Sequence, residues 1–217
     1  MFLRKFSFWF SLLAIGLMVV IFVNLKEQSK IINPVLQTPI DEVEFKSPQD
    51  VIIFPADPVR GIRNGAKLTI VQFSDFSCSY CAQMAGLLKV WVEQNKDRVS
   101  LVWKDFPLAE HEQSLPAAKA AQCASLQGKF WEYHDKLFAA QSNLGDFLYE
   151  STANDLKLDM PKFLTCLSGN ETLPLIKRNM TEGQAVGLDG TPYYIINGRV
   201  HSGILTEEDL NNLLAGY

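Results

Sequence analysis

The stretch KLTIVQFSDFSCSYCAQMAGLLKVWV, Lys67 to Val92, changes its hydrophobic period part-way along and carries two cysteines at the change. Lys67 to Phe73 is rich in β-branched residues and reads as a buried strand. Beyond the cysteines, Met84, Leu87, Leu88, Trp91 and Val92 recur at helical spacing, which predicts a helix from near Cys78 to before Asp97. RVSLVWKDF, Arg98 to Phe106, supplies the next strand, and this order is a parallel crossover unit. Cys78 and Cys81 therefore fall at the carboxyl end of a strand and in the first turn of the following helix.

That placement has chemical consequences. Positions i and i+3 share a helix face, so the two sulfurs can meet. The first cysteine faces unpaired backbone N–H groups and the positive end of the helix dipole, which favour a thiolate. Such sites bring a thiol pKa from about 8.5 into the range of about 3.5–7.5. Each unit by which the pKa is lowered is worth about 1.4 kcal/mol to the reduced form, equivalent to about 30 mV in a two-electron couple. A stabilised thiolate makes the disulfide a stronger oxidant and Cys78 a better leaving group, with Cys81 as resolving partner. Two blander readings compete. Zinc wants four ligands, usually as two close pairs, and Cys123 and Cys166 are single and far apart with no histidine beside either. An inert disulfide inside one helical turn closes too small a loop to stabilise much.

The rest of the chain extends the pattern. LPAAKAAQCASLQG, KFWEYHDKLFAAQ, LDMPKFLTCLSG and TLPLIKRNMTEGQAVG read as four helices. Pro116 stands near the start of the first and Gly128 at its stop, while Phe130, His134, Leu137, Phe138 and Gln141 share a face of the second. TPYYIING and RVHSG then form a hairpin around Asn197-Gly198, and TEEDLNNLLAG closes as a helix with Thr206 and Asp209 in a capping box. The order is βαβ, an all-helical block at about 112–187, then ββα.

The first thirty residues point to export. Arg4 and Lys5 precede an uncharged run from Phe6 to Leu25, and about 20 helical residues span a bilayer of roughly 30 Å. No small-residue pair marks a cleavage site, so an uncleaved anchor at 6–25 is preferred over a removed signal peptide. Residues 1–5 would then be cytoplasmic and the main domain, 64–217, extracytoplasmic. The intervening 26–63, with Pro34, Pro39, Pro48, Pro55 and Pro58, reads as a stalk in which VIIF, Val51 to Phe54, is an edge strand or a docking segment. A net charge of −4 with no basic cluster argues against nucleic acid as a partner. Without a Ser/His/Asp order, a Gly-rich phosphate loop or HExxH, hydrolase and nucleotide readings have no support.

Taken together, LTIVQFSDFSCSYC, WKDFPL, AAKAAQCASLQGKFWEYHDKLFAAQ, KFLTCL and GTPYYIINGR resemble the DsbA-like thiol–disulfide oxidoreductases from about Asp57 to Tyr217. The resemblance implies an α/β thioredoxin fold with a central mixed sheet and a helical insertion. It makes Cys78 the nucleophile and Cys81 its resolver, and matches Thr191-Pro192 to the family's cis-proline loop. It also implies a structural Cys123–Cys166 disulfide, against the alternative of two free buried thiols. Two positions depart from the family. Gln72 stands where relatives carry an acid thought to move the second cysteine's proton; Asp75 can serve instead, or water, or Asp75 merely bonds the loop. Ser79-Tyr80 replaces the Pro-His of the most oxidising relatives, which removes a donor to Cys78; Tyr80 offers an aromatic surface to substrate or packs.

No cofactor is required, since the cysteine pair carries the electrons. The partners implied are reduced or misfolded exported polypeptides and a membrane redox protein of the DsbB type. An isomerase or reductase on the same fold, or a non-enzymatic tethered chaperone, are the competing functions. His134 is expected to pack in the core; His111 lies in a loop that could border the site but is preferred as solvated, and His201 is read the same way. Asn170 and Asn179 match glycosylation acceptors.

Overall fold

The computed structural model describes residues 51–217. Five strands, β1 (Val59–Gly61), β2 (Leu68–Ser74), β3 (Val99–Asp105), β4 (Tyr193–Ile196) and β5 (Arg199–Ser202), form one sheet in the order β1-β3-β2-β4-β5. The central pair β2 and β3 is parallel; every other pairing is antiparallel. Helix α1 (Ser79–Gln94) makes the crossover between the parallel strands. Between β3 and β4 come α2 (Ser114–Ser125), α3 (Phe130–Ala139), α4 (Asp146–Asp155), α5 (Met160–Ser168) and α6 (Leu173–Ala185), and α7 (Glu207–Ala215) follows β5.

Strand alternation sorts the core. Leu68, Ile70, Val99, Leu101, Tyr194 and Ile196 face Met84, Leu88, Trp91 and Val92 of α1 with Leu210 and Leu214 of α7. Val71, Phe73, Val102, Tyr193 and Ile195 make the opposite face with Phe106, Met180 and Val186. A third cluster, formed largely by α2 to α5, takes in Phe76, Cys78, Cys81 and Trp103. The cysteines thus sit where sheet and inserted helices join. At the hairpin, Asn197 and Gly198 have φ of 45° and 80°, the paired positive values that a type I′ turn needs.

Three expectations change. Of the two readings of Val51–Phe54 the docking segment holds and the strand does not; the edge strand is β1, inside the segment read as a stalk. The reason lies in β3, where Lys104 is buried and needs acceptors: its Nζ donates to Ile52 O at 2.8 Å and meets Asp57 at 2.6 Å and Glu182 at 2.7 Å. Asp57 also takes Arg178 at 2.7 Å, whose guanidinium lies 3.8 Å over the Phe54 ring. Residues 51–63 therefore belong to the folded unit. Gly61 in β1 has no substitute, because a Cβ there would strike the Val99 carbonyl. A fifth inserted helix, α4, has no strong apolar stripe to announce it: it buries only Tyr149, Thr152 and Ala153. Asn179 is fully buried in α6, so the folded protein does not present it as a glycosylation acceptor.

The anchor at 6–25 lies outside the described residues, as do 1–5 and most of the stalk. Among the described residues no helix is long and apolar enough to cross a membrane.

Candidate active site

Cys78 is the N-cap of α1, with extended backbone that turns the chain from strand into helix. Its N–H donates to Asp75 O at 3.2 Å and its carbonyl accepts from Ala82 N at 3.1 Å. Both Cys78 and Cys81 are buried thiols, and Cys81 is fully enclosed. Across from them the Thr191–Pro192 peptide is cis, and the Cys78 thiol donates to Thr191 O at 3.3 Å.

The two thiols are driven apart electrostatically. The hydrogen bond from Cys81 does most to bring the Cys78 thiol down to about 5, against burial, with the Thr191 side chain and the N–H groups of Cys81 and Tyr80 assisting. Burial pushes the Cys81 thiol far above its ordinary value, and the neighbouring Cys78 adds to this. One sulfur is made to hold charge and the other to hold its proton.

Asp75 and Phe76 fix the loop before Cys78 from two sides. The buried Asp75 carboxylate accepts from Ser77 N at 2.8 Å, Leu108 N at 3.1 Å and Ser114 Oγ at 2.5 Å, and it pairs with His111 Nδ1 at 2.7 Å. The Phe76 ring stacks at 4.9 Å on Trp103 and 5.0 Å on Phe138, with His134 at 5.7 Å. Gln141, just past α3, donates to Phe76 O at 2.7 Å and Cys78 O at 2.9 Å. Most of these anchors, among them Leu108, His111, Ser114, Phe138 and Gln141, come from beyond β3. Ser79 and Tyr80 face outward, Tyr80 with 61% of its surface exposed.

A thioredoxin family model matches residues 55–215. The chain belongs to the thioredoxin family. It is 33% identical over 165 residues to a Salinispora tropica protein described as Na(+)/H(+) antiporter NhaA 3, covering 74% of this chain and 25% of that one. The chain spans about a quarter of the length of such curated relatives. Pseudomonas aeruginosa DsbA2 superposes with a TM-score of 0.62 at 26% identity, covering 76% of this chain and 96% of that one. A periplasmic thioredoxin-like protein from Salmonella enterica serovar Typhimurium gives 0.62 at 24%, covering 82% and 94%. The architecture is a thioredoxin fold of the DsbA-like kind.

Within that thioredoxin frame, Gln72 is buried and its Nε2 approaches Ser74 Oγ at 3.4 Å, and the Ser74 side chain pulls the Cys81 thiol down slightly against burial. Cys123 of α2 and Cys166 of α5 form a disulfide with Cα atoms 5.8 Å apart. His134 packs in the aromatic core, where burial lowers its pKa. His111 corrects the reading of a solvated loop: it is held on Asp75 because the Leu108–Ser114 loop wraps that carboxylate. Gln141 is the site residue that sequence reasoning passed over, and His111 one that it weighed for the border of the site and set aside. The spacing of Gln141 on the Phe130 face was the available signal for it, and His111 had none. Among the described residues no group of three His, Cys, Asp or Glu side chains could hold a metal.

Proposed function

We propose that this protein is a thiol–disulfide oxidoreductase that introduces disulfides into exported polypeptides through Cys78 and Cys81. The observation that carries the reading is the divergence of the two thiols, about 5 for Cys78 against a strongly raised value for Cys81. A substrate thiolate attacks Cys78 Sγ of the disulfide form; the Cys78–Cys81 bond breaks, and Cys81 leaves with the electron pair and takes up a proton. A second substrate thiolate then attacks the substrate sulfur of the mixed disulfide and expels Cys78 as a thiolate. The substrate loses two electrons, and the low Cys78 value makes the last departure favourable. Reoxidation falls to a membrane redox partner of the DsbB type.

In this scheme the Thr191-Pro192 backbone lies beside the reacting sulfurs to pair with an extended substrate. Exposed Tyr80 offers an aromatic surface, Ser79 keeps the turn open, and Asp75 and Gln141 hold the loop. Gln72 cannot take a proton, so Ser74 and water carry the Cys81 proton. The segment 6–25 anchors the domain, 64–217 with the packed residues 51–63 before it, on the outer side of the inner membrane, and the domain is periplasmic even if that segment is cleaved. Curated relatives named as antiporters carry the same domain, which supports a place at a membrane.

The test is oxidation of a reduced, unfolded substrate by the disulfide form. Cys78→Ala should abolish turnover, and full activity in that variant would end the proposal. A potential close to the roughly −270 mV of thioredoxin would assign the reductase direction instead. An intact phenotype in a Cys78→Ala/Cys81→Ala variant would favour a binding module.

A further inference from the structure

Asp75 presents an electrostatic problem. Its buried carboxylate lies three residues before Cys78, and its own carbonyl accepts the Cys78 N–H. A negative charge there opposes the thiolate on which the oxidant depends. Three of the four groups bonded to it, Ser77 N–H, Leu108 N–H and the Ser114 hydroxyl, are neutral donors. Only His111, 2.7 Å away, can bring a full positive charge. Its side chain is 33% exposed, so it exchanges protons with solvent while its Nδ1 edge stays on the carboxylate.

We propose that His111 is a positioning residue whose protonated imidazole cancels the Asp75 charge and so sets how strongly Cys78–Cys81 oxidises. The proposal rests on the reading of Cys78–Cys81 as a redox pair. The charged groups acting on the imidazole are Asp75, whose hydrogen bond is the leading influence, then Glu110 and Cys78, all raising its pKa against burial. Coupling is reciprocal: if the Cys78 thiolate favours the imidazolium, the imidazolium favours the thiolate equally.

Reduction of the disulfide takes two electrons and one proton, giving the Cys78 thiolate and the Cys81 thiol, with the electrons supplied by two glutathione thiols. The sign follows. At acidic pH the imidazolium is present, the thiolate is favoured and the disulfide is the stronger oxidant; as His111 loses its proton, that advantage is lost.

The experiment equilibrates the wild-type protein, His111→Gln and His111→Lys with glutathione from about pH 5 to about pH 9, and follows Cys78 by thiolate absorbance. His111→Gln should lower the equilibrium constant for reduction by about threefold at the acidic end, equivalent to about 15 mV. Its thiolate midpoint should rise, and the difference from the wild type should close at the alkaline end. His111→Lys, charged throughout, should hold the wild type's acidic-side behaviour across the whole range. A His111→Gln curve lying on the wild-type curve, or His111→Lys behaving as His111→Gln, would overturn the proposal. Failure of the wild-type protein itself to equilibrate with glutathione would instead overturn the reading of the pair, and the proposal with it.

Discussion

Two pairs of cysteines sit in one cluster of buried residues, and their surroundings assign them opposite fates. Cys78 and Cys81 lie three positions apart on one helical turn, with backbone N–H groups and the Thr191–Pro192 loop around them. Cys123 and Cys166 are 43 positions apart in the last turns of α2 and α5, away from any helix start. Closing the long loop removes much freedom from the unfolded chain, while closing the short one removes little. Conversely, only the short pair has a sulfur at which a thiolate is stabilised. Burial alone distinguishes neither pair, since all four residues are buried. Position relative to the helix axis and to the chain decides which bond is a staple and which is a reagent.

Alkylation gives the largest effect with which to break this contrast. With a Cys78 thiol near 5, the reduced protein at about pH 6 presents a thiolate there while Cys81 stays protonated. Iodoacetamide should modify Cys78 at least about 100-fold faster than Cys81, and the rate should fall about tenfold per pH unit below about pH 5. Peptide mapping after a short pulse reads this directly, and equal labelling would erase the distinction. Next comes stability. Replacing Cys123 and Cys166 together by alanine should cost about 2–4 kcal/mol in urea unfolding while leaving the Cys78 titration in place. A shift of that titration would mean that the staple also shapes the reagent. The smallest effect belongs to Gln141→Ala, which removes donors to Phe76 O and Cys78 O. It should cost about 1 kcal/mol and slow disulfide exchange a few-fold, measured by stopped-flow fluorescence.

What could be read from the chain depended on whether the controlling interactions were local. The switch from β-branched run to helical spacing around Cys78, the Asn197-Gly198 turn and the Thr206–Asp209 capping box are encoded within a few residues, and each is found in place. Strand β1 escaped notice because three residues carry no period; its position depends on β3, some forty residues later in the chain. Helix α4 escaped for lack of an apolar stripe: Phe147, near its start, is exposed to solvent opposite the buried face of Tyr149, Thr152 and Ala153. At the site the cysteines could be identified by type and spacing, and the proline loop through the family resemblance. His111 and Gln141 could not, because each acts on a partner far away in sequence.

The strap from Val51 to Asp57 has a practical consequence. A cut made just before Val59 would keep every strand of the sheet yet take away two of the three acceptors around Lys104 and the ring beneath Arg178. An ammonium left half-satisfied in a dry interior is costly enough to unsettle a domain of this size. Anyone excising the piece for expression, or grafting it behind another anchor, should leave the upstream residues attached, since its true edge is drawn by charge and not by the first strand.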